Sequence, residues 1–183
     1  MNKSTLLKVE PELLLRLPES GLVGYSPPGY SSCFLLLSDH KTIKVSTKET
    51  CVASKFDCFS LALDLEIMPE GAVTKFETTK GSGVSVLIRE DYIETYTGDT
   101  SKLVGNNPVT HSSAKVGEAP ENALAKSIVA YGLLFEGHSG RLVVAADWFP
   151  TKIEVTTDES KIETILSEGD ALSVATYIQH YAS

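Results

Sequence analysis

One stretch, Arg141–Phe149, constrains the fold of this 183-residue chain more than any other. It reads Arg-Leu-Val-Val-Ala-Ala-Asp-Trp-Phe, with a continuous apolar run and β-branched side chains at Val143 and Val144. Both alternating faces of such a strand are apolar, which is typical of a strand covered on both sides. Pro150 cannot donate a backbone hydrogen bond, so pairing should end or bulge there. The sequence therefore predicts an interior strand packed between two layers.

The residues before this strand carry the pattern of an amphipathic helix. The apolar residues at the helical spacing i, i+4, i+7 and i+11 are Leu124, Ile128, Tyr131 and Phe135. Pro120 suits a helix start, and Gly137 suits a helix end. After the strand, Ile153 and Val155 alternate with charged residues, which is typical of a half-exposed second strand.

The first half of the chain has a period of two instead. Its clearest strand alternates apolar and polar residues from Phe59 to Ile67. Pro69 to Gly71 and Lys80 to Gly83 have the composition of turns. Four or five such strands in sequence, joined by short turns, predict an antiparallel β meander of about five strands.

The C-terminal residues predict two further helices. The first follows a capping-box sequence, Thr156–Glu159, and the second has apolar residues at helical spacing up to Tyr181. Residues 171–181 are rich in Val, Thr, Tyr and Ile, so a strand is an alternative there. We therefore predict an α+β fold in which the meander is followed by a helix–strand–strand–helix–helix half packed on the sheet.

The domain organisation follows from one polar segment, residues 97–119, which is rich in Gly, Ser, Thr and Asn. A loop of this length is unusual inside a domain and is often functional or mobile. We predict one domain over residues 1–183, with a possible subdomain boundary in this loop between a β-rich half (1–97) and a mixed half (120–183).

The charge balance limits the classes of partner. The 24 acidic residues outnumber the 16 Lys and Arg, for a net charge of −8, whereas duplex DNA and anionic membranes select basic proteins. No apolar run approaches the roughly 20 residues needed to cross a bilayer, and Glu10 and Glu12 interrupt the stretch that a secretory signal would need. The 3 cysteines lack a CxxC pair, which indicates reduced thiols. These patterns predict a soluble cytoplasmic protein without cofactor, metal or membrane contact.

Two histidines lie in similar short sequences. His40-Lys-Thr and His111-Ser-Ser are both H-x-[ST] tripeptides. The pattern resembles the signature of the 2H phosphoesterases, in which two histidines act as acid and base while the hydroxyls hold the phosphate. The resemblance implies a phosphodiesterase or nucleotide hydrolase that uses His40, Thr42, His111 and Ser113. That family places its motifs on core strands, whereas here they fall in a turn and a polar loop, and two exposed loop histidines are the simpler interpretation.

One acidic residue is a further candidate. Asp147 follows the apolar run directly, and an ionised carboxylate in an apolar strand is costly unless it is paired or solvated. An acid at the end of a central strand is a common functional position. The alternative is an acid that reaches solvent just before Pro150.

No candidate set amounts to a complete catalytic site, so the favoured hypothesis is a non-catalytic protein-interaction or assembly protein. It would act in a homo-oligomer or a larger complex, because several long strands offer edges that must be paired or covered. The candidate interaction residues are Leu13, Leu14, Leu17, Tyr92, Tyr96 and Trp148. The tyrosines could also stack on bases, so single-stranded nucleic acid stays an alternative partner.

Overall fold

Two β-sheets face each other in the computed structural model, which describes residues 5–6, 9–29, 31–52, 56–95, 109–147 and 152–182. The strands are β1 (Thr5–Leu6), β2 (Leu22–Tyr25), β3 (Ser32–Leu37), β4 (Thr42–Val52), β5 (Phe56–Leu65), β6 (Thr74–Lys75), β7 (Val84–Thr95), β8 (Val109–Ala114), β9 (Ala125–Gly137), β10 (Gly140–Asp147), β11 (Lys152–Thr156) and β12 (Asp170–Ser173). The helices are α1 (Pro11–Ser20), α2 (Glu159–Ser167) and α3 (Val174–Tyr177), which continues into a π-helical turn, Ile178–Ala182.

The first sheet contains five strands in the order β5-β4-β3-β2-β6. The second sheet has the order β11-β10-β9-β7-β12, with β8 added beside β7 and β1 added beside β9. All pairings are antiparallel except that of β1 with β9. The predicted α+β class and the antiparallel sheet of about five strands are confirmed.

The meander is sequential only in part. Strands β3, β4 and β5 pair in chain order, as predicted. The chain then connects β5, at one edge of the first sheet, to β6, which pairs with β2 near the opposite edge. The next strand, β7, belongs to the second sheet. The alternation of apolar residues located these strands but carried no information about which sheet each one joins.

The helix predicted from Leu124 to Phe135 is wrong, because this segment is β9. The strand lies in the middle of the second sheet between β7 and β10, and Val129–Phe135 is buried on both faces. When every position is apolar, a helical stripe can be found by chance, and length and composition must decide. The strand also contains a β-bulge, because Leu87 pairs with Gly132 and Ile88 pairs with Ala130, which leaves Tyr131 as an extra residue in the pairing with β7.

The predicted interior strand is confirmed over Gly140–Asp147, the extent of β10. Leu142 and Val144 belong to the main core, which joins the two sheets. Val143 and Ala145 face the other way and pack in a separate cluster with Ile162 of α2. Strand β10 is therefore covered by the first sheet on one face and by a helix on the other.

The terminal helices follow local signals closely. In α1, Leu14 and Leu17 are buried in the main core, and Pro18 lies inside the helix, which ends at Ser20 and is capped by Gly21. In α2, Asp158 is the N-cap and accepts hydrogen bonds from the backbone N–H groups of Ser160 (2.9 Å) and Lys161 (3.1 Å). Residues 171–181 contain both predicted alternatives, since the strand β12 leads directly into α3.

The polar segment 97–119 is not a loop throughout. Residues Val109–Ala114 form β8, which pairs with β7 from Glu90 to Thr95. Its alternating exposure explains the absence of an apolar signal, because β8 is an outer strand without a buried face. The part of the segment before Val109 lies outside the described residues.

Candidate functional site

An open pocket of about 470 Å³ lies where β5 ends at the edge of the first sheet. The described residues that line it are His40, Lys41, Thr42, Leu65, Glu66, Ile67 and Met68. Three of them belong to the turn between β3 and β4 and the start of β4, and four to the end of β5 and the residues that follow. The pocket therefore exists because the chain continues beyond β5 beside the β3–β4 turn.

Hydrogen bonds fix both walls of this pocket. In the turn, the His40 N–H donates to the Leu37 carbonyl at 3.0 Å, and His40 has the left-handed backbone angle φ of 64°. On the other wall, the Thr42 hydroxyl donates to the carbonyl oxygen of Glu66. The Lys44 ammonium lies 3.1 Å from the Glu66 carboxylate. The backbone after β5 is thus held against β4 although no further strand forms.

Apolar side chains are exposed beside the pocket. Ile67 is 94% exposed and Leu65 is 52% exposed, which are the two highest values among the large exposed apolar residues described. We call Leu65–Met68 the edge patch. In the described part of the chain, β5 pairs only with β4, so its outer edge also offers unpaired backbone groups. Apolar surface next to an unpaired strand edge is a feature of protein-binding surfaces.

A second candidate is a cluster of charges in the second sheet. Arg89 and Asp91 on β7 form an ion pair, with Nε 2.8 Å from Oδ1 and both side chains only 4% exposed. The Ser113 hydroxyl on β8 donates to the same Asp91 oxygen at 2.7 Å. The Arg89 guanidinium also contacts Glu168 at 2.9 Å and lies 4.9 Å above the ring centre of Tyr131.

The partners in this cluster show what it does. Its two buried charges are both paired, and its contacts connect β7, β8 and β9 with the residue that follows α2. Nearby, Glu90 accepts the Gly117 N–H at 3.1 Å, and Asp170 accepts the Val116 N–H at 3.1 Å. No group of three or more His, Cys, Asp or Glu suited to a metal is found among the described residues. We therefore interpret the cluster as structural: its ion pairs and hydrogen bonds hold β7, β8 and β9 and the end of α2 together.

The structure places the two candidate histidines in different sheets. His40 and Thr42 line the pocket of the first sheet. His111 is exposed on β8, opposite Ile93 of β7, and is not among the described residues that line that pocket. Ser113 is occupied by its hydrogen bond to Asp91. The joint catalytic role of these residues stays a prediction.

The other sequence candidates have varied surroundings. Asp147 ends β10 opposite Lys152, while Trp148 and Tyr96 lie outside the described residues. Tyr92 is half-buried on β7. Of the α1 leucines, Leu14 and Leu17 are buried in the main core and Leu13 packs partly against it. That burial favours packing of α1 on the chain's own core.

The buried cysteines are unsuited to nucleophilic chemistry. Burial raises the pKa of Cys33 and of Cys58 to about 12. Both thiols are therefore protonated near neutral pH, whereas a thiolate is the reactive form. Cys51 is exposed and unbridged on β4.

Sequence reasoning missed both the edge patch and the buried ion pair. The alternating pattern predicts a strand that continues to Ile67, but β5 ends at Leu65 and Ile67 lies in the pocket wall. For the ion pair, a signal existed: Arg89, Glu90 and Asp91 are consecutive charges within an otherwise apolar run. Charged residues inside a buried strand require partners, so this run is a signal from which a polar cluster could have been predicted.

Comparison with known proteins gives no further guide. A scan against protein-family models found no match, and searches of the curated proteins and of the solved structures found no significant similarity. The helices in the described part of the chain are too short or too polar to span a membrane. The fold and its surface are therefore the basis for a functional proposal.

Proposed function

We propose that this chain is a non-catalytic protein-interaction or assembly protein that acts in a homo-oligomer or a larger complex. The observation that carries the proposal is the edge patch, where Ile67 is almost fully exposed beside an open pocket and the unpaired edge of β5. An exposed apolar side chain of this kind costs nothing to an isolated domain but stabilises a complex by about 1.5–3 kcal/mol when it is fully buried.

The surroundings of the patch support binding rather than chemistry. The pocket is open, and its charged groups, Lys41 and Glu66, lie at its rim with about half of each side chain exposed. Apolar centres with polar rims are typical of protein interfaces. An unpaired strand edge next to such a centre can also accept an extended segment by β-strand addition.

The test is the mass of the protein in an extract of the cells that make it, after mild cross-linking. We expect most of the tagged chain in species well above the 19.7 kDa of one copy. Ile67→Asp should shift it toward that mass, because a buried interface does not tolerate an unpaired charge. The matched control is Leu124→Asp, which changes an exposed leucine outside the patch. A chain that runs only at the monomer mass contradicts the proposal.

A phosphodiesterase is the second candidate, and one observation favours it: His40 and Thr42 share the wall of one pocket with Lys41, a set of groups suited to a phosphate. The proposal requires that His111 complete the site. Hydrolysis of a cyclic nucleotide phosphodiester that is abolished in both His40→Ala and His111→Ala supports it. Single-stranded nucleic-acid binding through Tyr92 is a third proposal, and a titration at low salt tests it.

A further inference from the structure

We propose that the partner of the edge patch is a second copy of this chain, related by a two-fold axis that places Ile67 of each copy in the pocket of the other. This inference rests on the proposed interaction function and adds the partner and the contact. The shape of the patch and the charges at its rim support a two-fold contact.

The shape is self-complementary. Ile67 projects into solvent with 94% exposure, and the pocket beside it is lined by residues of the same short stretch and of the β3–β4 turn. A two-fold interface uses the same surface on both copies, so a projecting group and its receptor must lie side by side on one face. The pocket, at about 470 Å³, has room for a branched aliphatic side chain from a neighbour.

The charges at the rim distinguish a second copy from a partner of another kind. A purely acidic rim would select a basic protein, and the net charge of −8 on each chain opposes self-association. The rim instead carries both signs. Lys41 is 52% exposed and lies 4.0 Å from Asp39, while the Glu66 side chain is 45% exposed and lies 3.1 Å from Lys44. In the proposed dimer, Lys41 of each copy lies opposite Glu66 of the other, since both residues line the same pocket.

The two ion pairs matter more for partner choice than for affinity. Surface ion pairs contribute little net free energy, but opposite charges across an interface fix its register and exclude wrong partners. Burial of Ile67 supplies the driving force. The arrangement therefore predicts a dimer whose affinity depends on Ile67 and whose pairing depends on Lys41 and Glu66.

The test is light scattering of the purified chain over a range of concentrations. We expect a monomer–dimer equilibrium for the natural sequence and for the control Leu124→Asp. Ile67→Asp should raise the dissociation constant by at least about tenfold, as expected for a central interface residue. Circular dichroism confirms that each variant is folded.

Charge reversal tests the two-fold geometry directly. Lys41→Glu alone places acids opposite Glu66, and Glu66→Lys alone places bases opposite Lys41, so each single variant should be mostly monomeric. An equimolar mixture of the two should recover the dimer, because both contacts then join opposite charges. Recovery on mixing is not expected if the charges act only within one chain.

The outcomes separate this inference from the wider proposal. A dimer that is unaffected by the Ile67 and charge variants overturns the two-fold contact and leaves an assembly function through another surface. A purified monomer at all concentrations also overturns the inference. If such a monomer still forms larger species in the extract, and Ile67→Asp abolishes them, the patch binds a different protein. If it forms none, the interaction function fails as well.

Discussion

Replacement of Arg89 by methionine gives the sharpest test of the polar cluster. Methionine retains the length and packing of the aliphatic stem but removes the charge. The change leaves Asp91, whose side chain is 4% exposed, without its ionic partner, while the Ser113 hydroxyl still donates to it. The variant therefore removes the buried ion pair together with the guanidinium contacts to Tyr131 and Glu168.

The expected cost comes from three contacts of unequal weight. Removal of one partner from a buried ion pair costs about 3–5 kcal/mol, since the remaining charge is uncompensated. Loss of the stacking of the guanidinium on Tyr131 adds about 0.5–1 kcal/mol. The contact with Glu168, which is 47% exposed, contributes at most about 1 kcal/mol. Arg89→Met should thus lower the free energy of unfolding by about 4 kcal/mol, and the loss of the pair dominates.

The assay is urea unfolding followed by far-UV circular dichroism. With a slope of about 2 kcal/mol per molar urea, the midpoint should fall by about 2 M. The control is the double variant Arg89→Met/Asp91→Leu, which removes both charges. We expect it to lie within about 1–2 kcal/mol of the natural protein, because a buried ion pair can often be replaced by apolar residues at little cost. Ser113 is exposed and can turn its hydroxyl to water.

Two results would refute this reasoning. A single variant that loses less than about 1 kcal/mol shows that Asp91 finds water or another donor, and so is not enclosed as the structure has it. The single variant Asp91→Leu completes the cycle. If the loss of the double variant equals the sum of the losses of Arg89→Met and Asp91→Leu, the two side chains act independently, whereas contacting residues are expected to be coupled.

Two further predictions concern pH. Hydrogen bonds from the Ser160 hydroxyl and the Lys161 N–H hold the pKa of Asp158 below its ordinary value, so the stabilising effect of this cap is present at neutral pH and is lost as pH falls through the folded-state pKa. In urea unfolding, Asp158→Ala should therefore destabilise the chain more at pH 7 than at pH 3. Equal losses at the two pH values would contradict the capping role. Burial raises the pKa of Cys33 and Cys58 from 9.0 to about 12, so the free energy of unfolding should fall as pH rises through that range. At pH 8, a thiol reagent should modify only Cys51 until the chain unfolds. Rapid reaction of all three thiols in the folded protein would show that Cys33 and Cys58 are accessible.

The parts of the fold that the sequence predicted are those fixed by local chemistry. The period-two alternation of β5 and the apolar run of β10 identified strands, because one or both faces of each are buried. The capping-box sequence Thr156–Glu159 identified α2, although the N-cap of this helix is Asp158. The assignment of strands to two sheets was not predictable, since pairing partners are set by contacts distant in the sequence.

Strand β9 shows why the largest error arose. Its residues satisfy a helical stripe only because almost every position between Val129 and Phe135 is apolar. The decisive fact is tertiary: β7 pairs with β9 from Ala125 to Phe135, and β10 pairs with it from Gly132 to Gly137. The apolar run Ile128–Phe135 within β9 is compatible with either state in isolation, so the sheet rather than the segment determines its conformation.

The candidate site likewise depends on contacts between residues that are distant in the sequence, rather than on local patterns. Residues that meet in the polar cluster lie 79 positions apart in the case of Arg89 and Glu168, and no local pattern joins them. The edge patch depends instead on where a strand ends: the apolar alternation continues through Ile67, but pairing with β4 stops at Leu65, opposite Ile43. A hydrophobic residue that would have been inward in a longer strand is therefore exposed. The interaction proposal thus follows from one strand terminus, a feature that only the three-dimensional register of β4 and β5 could reveal.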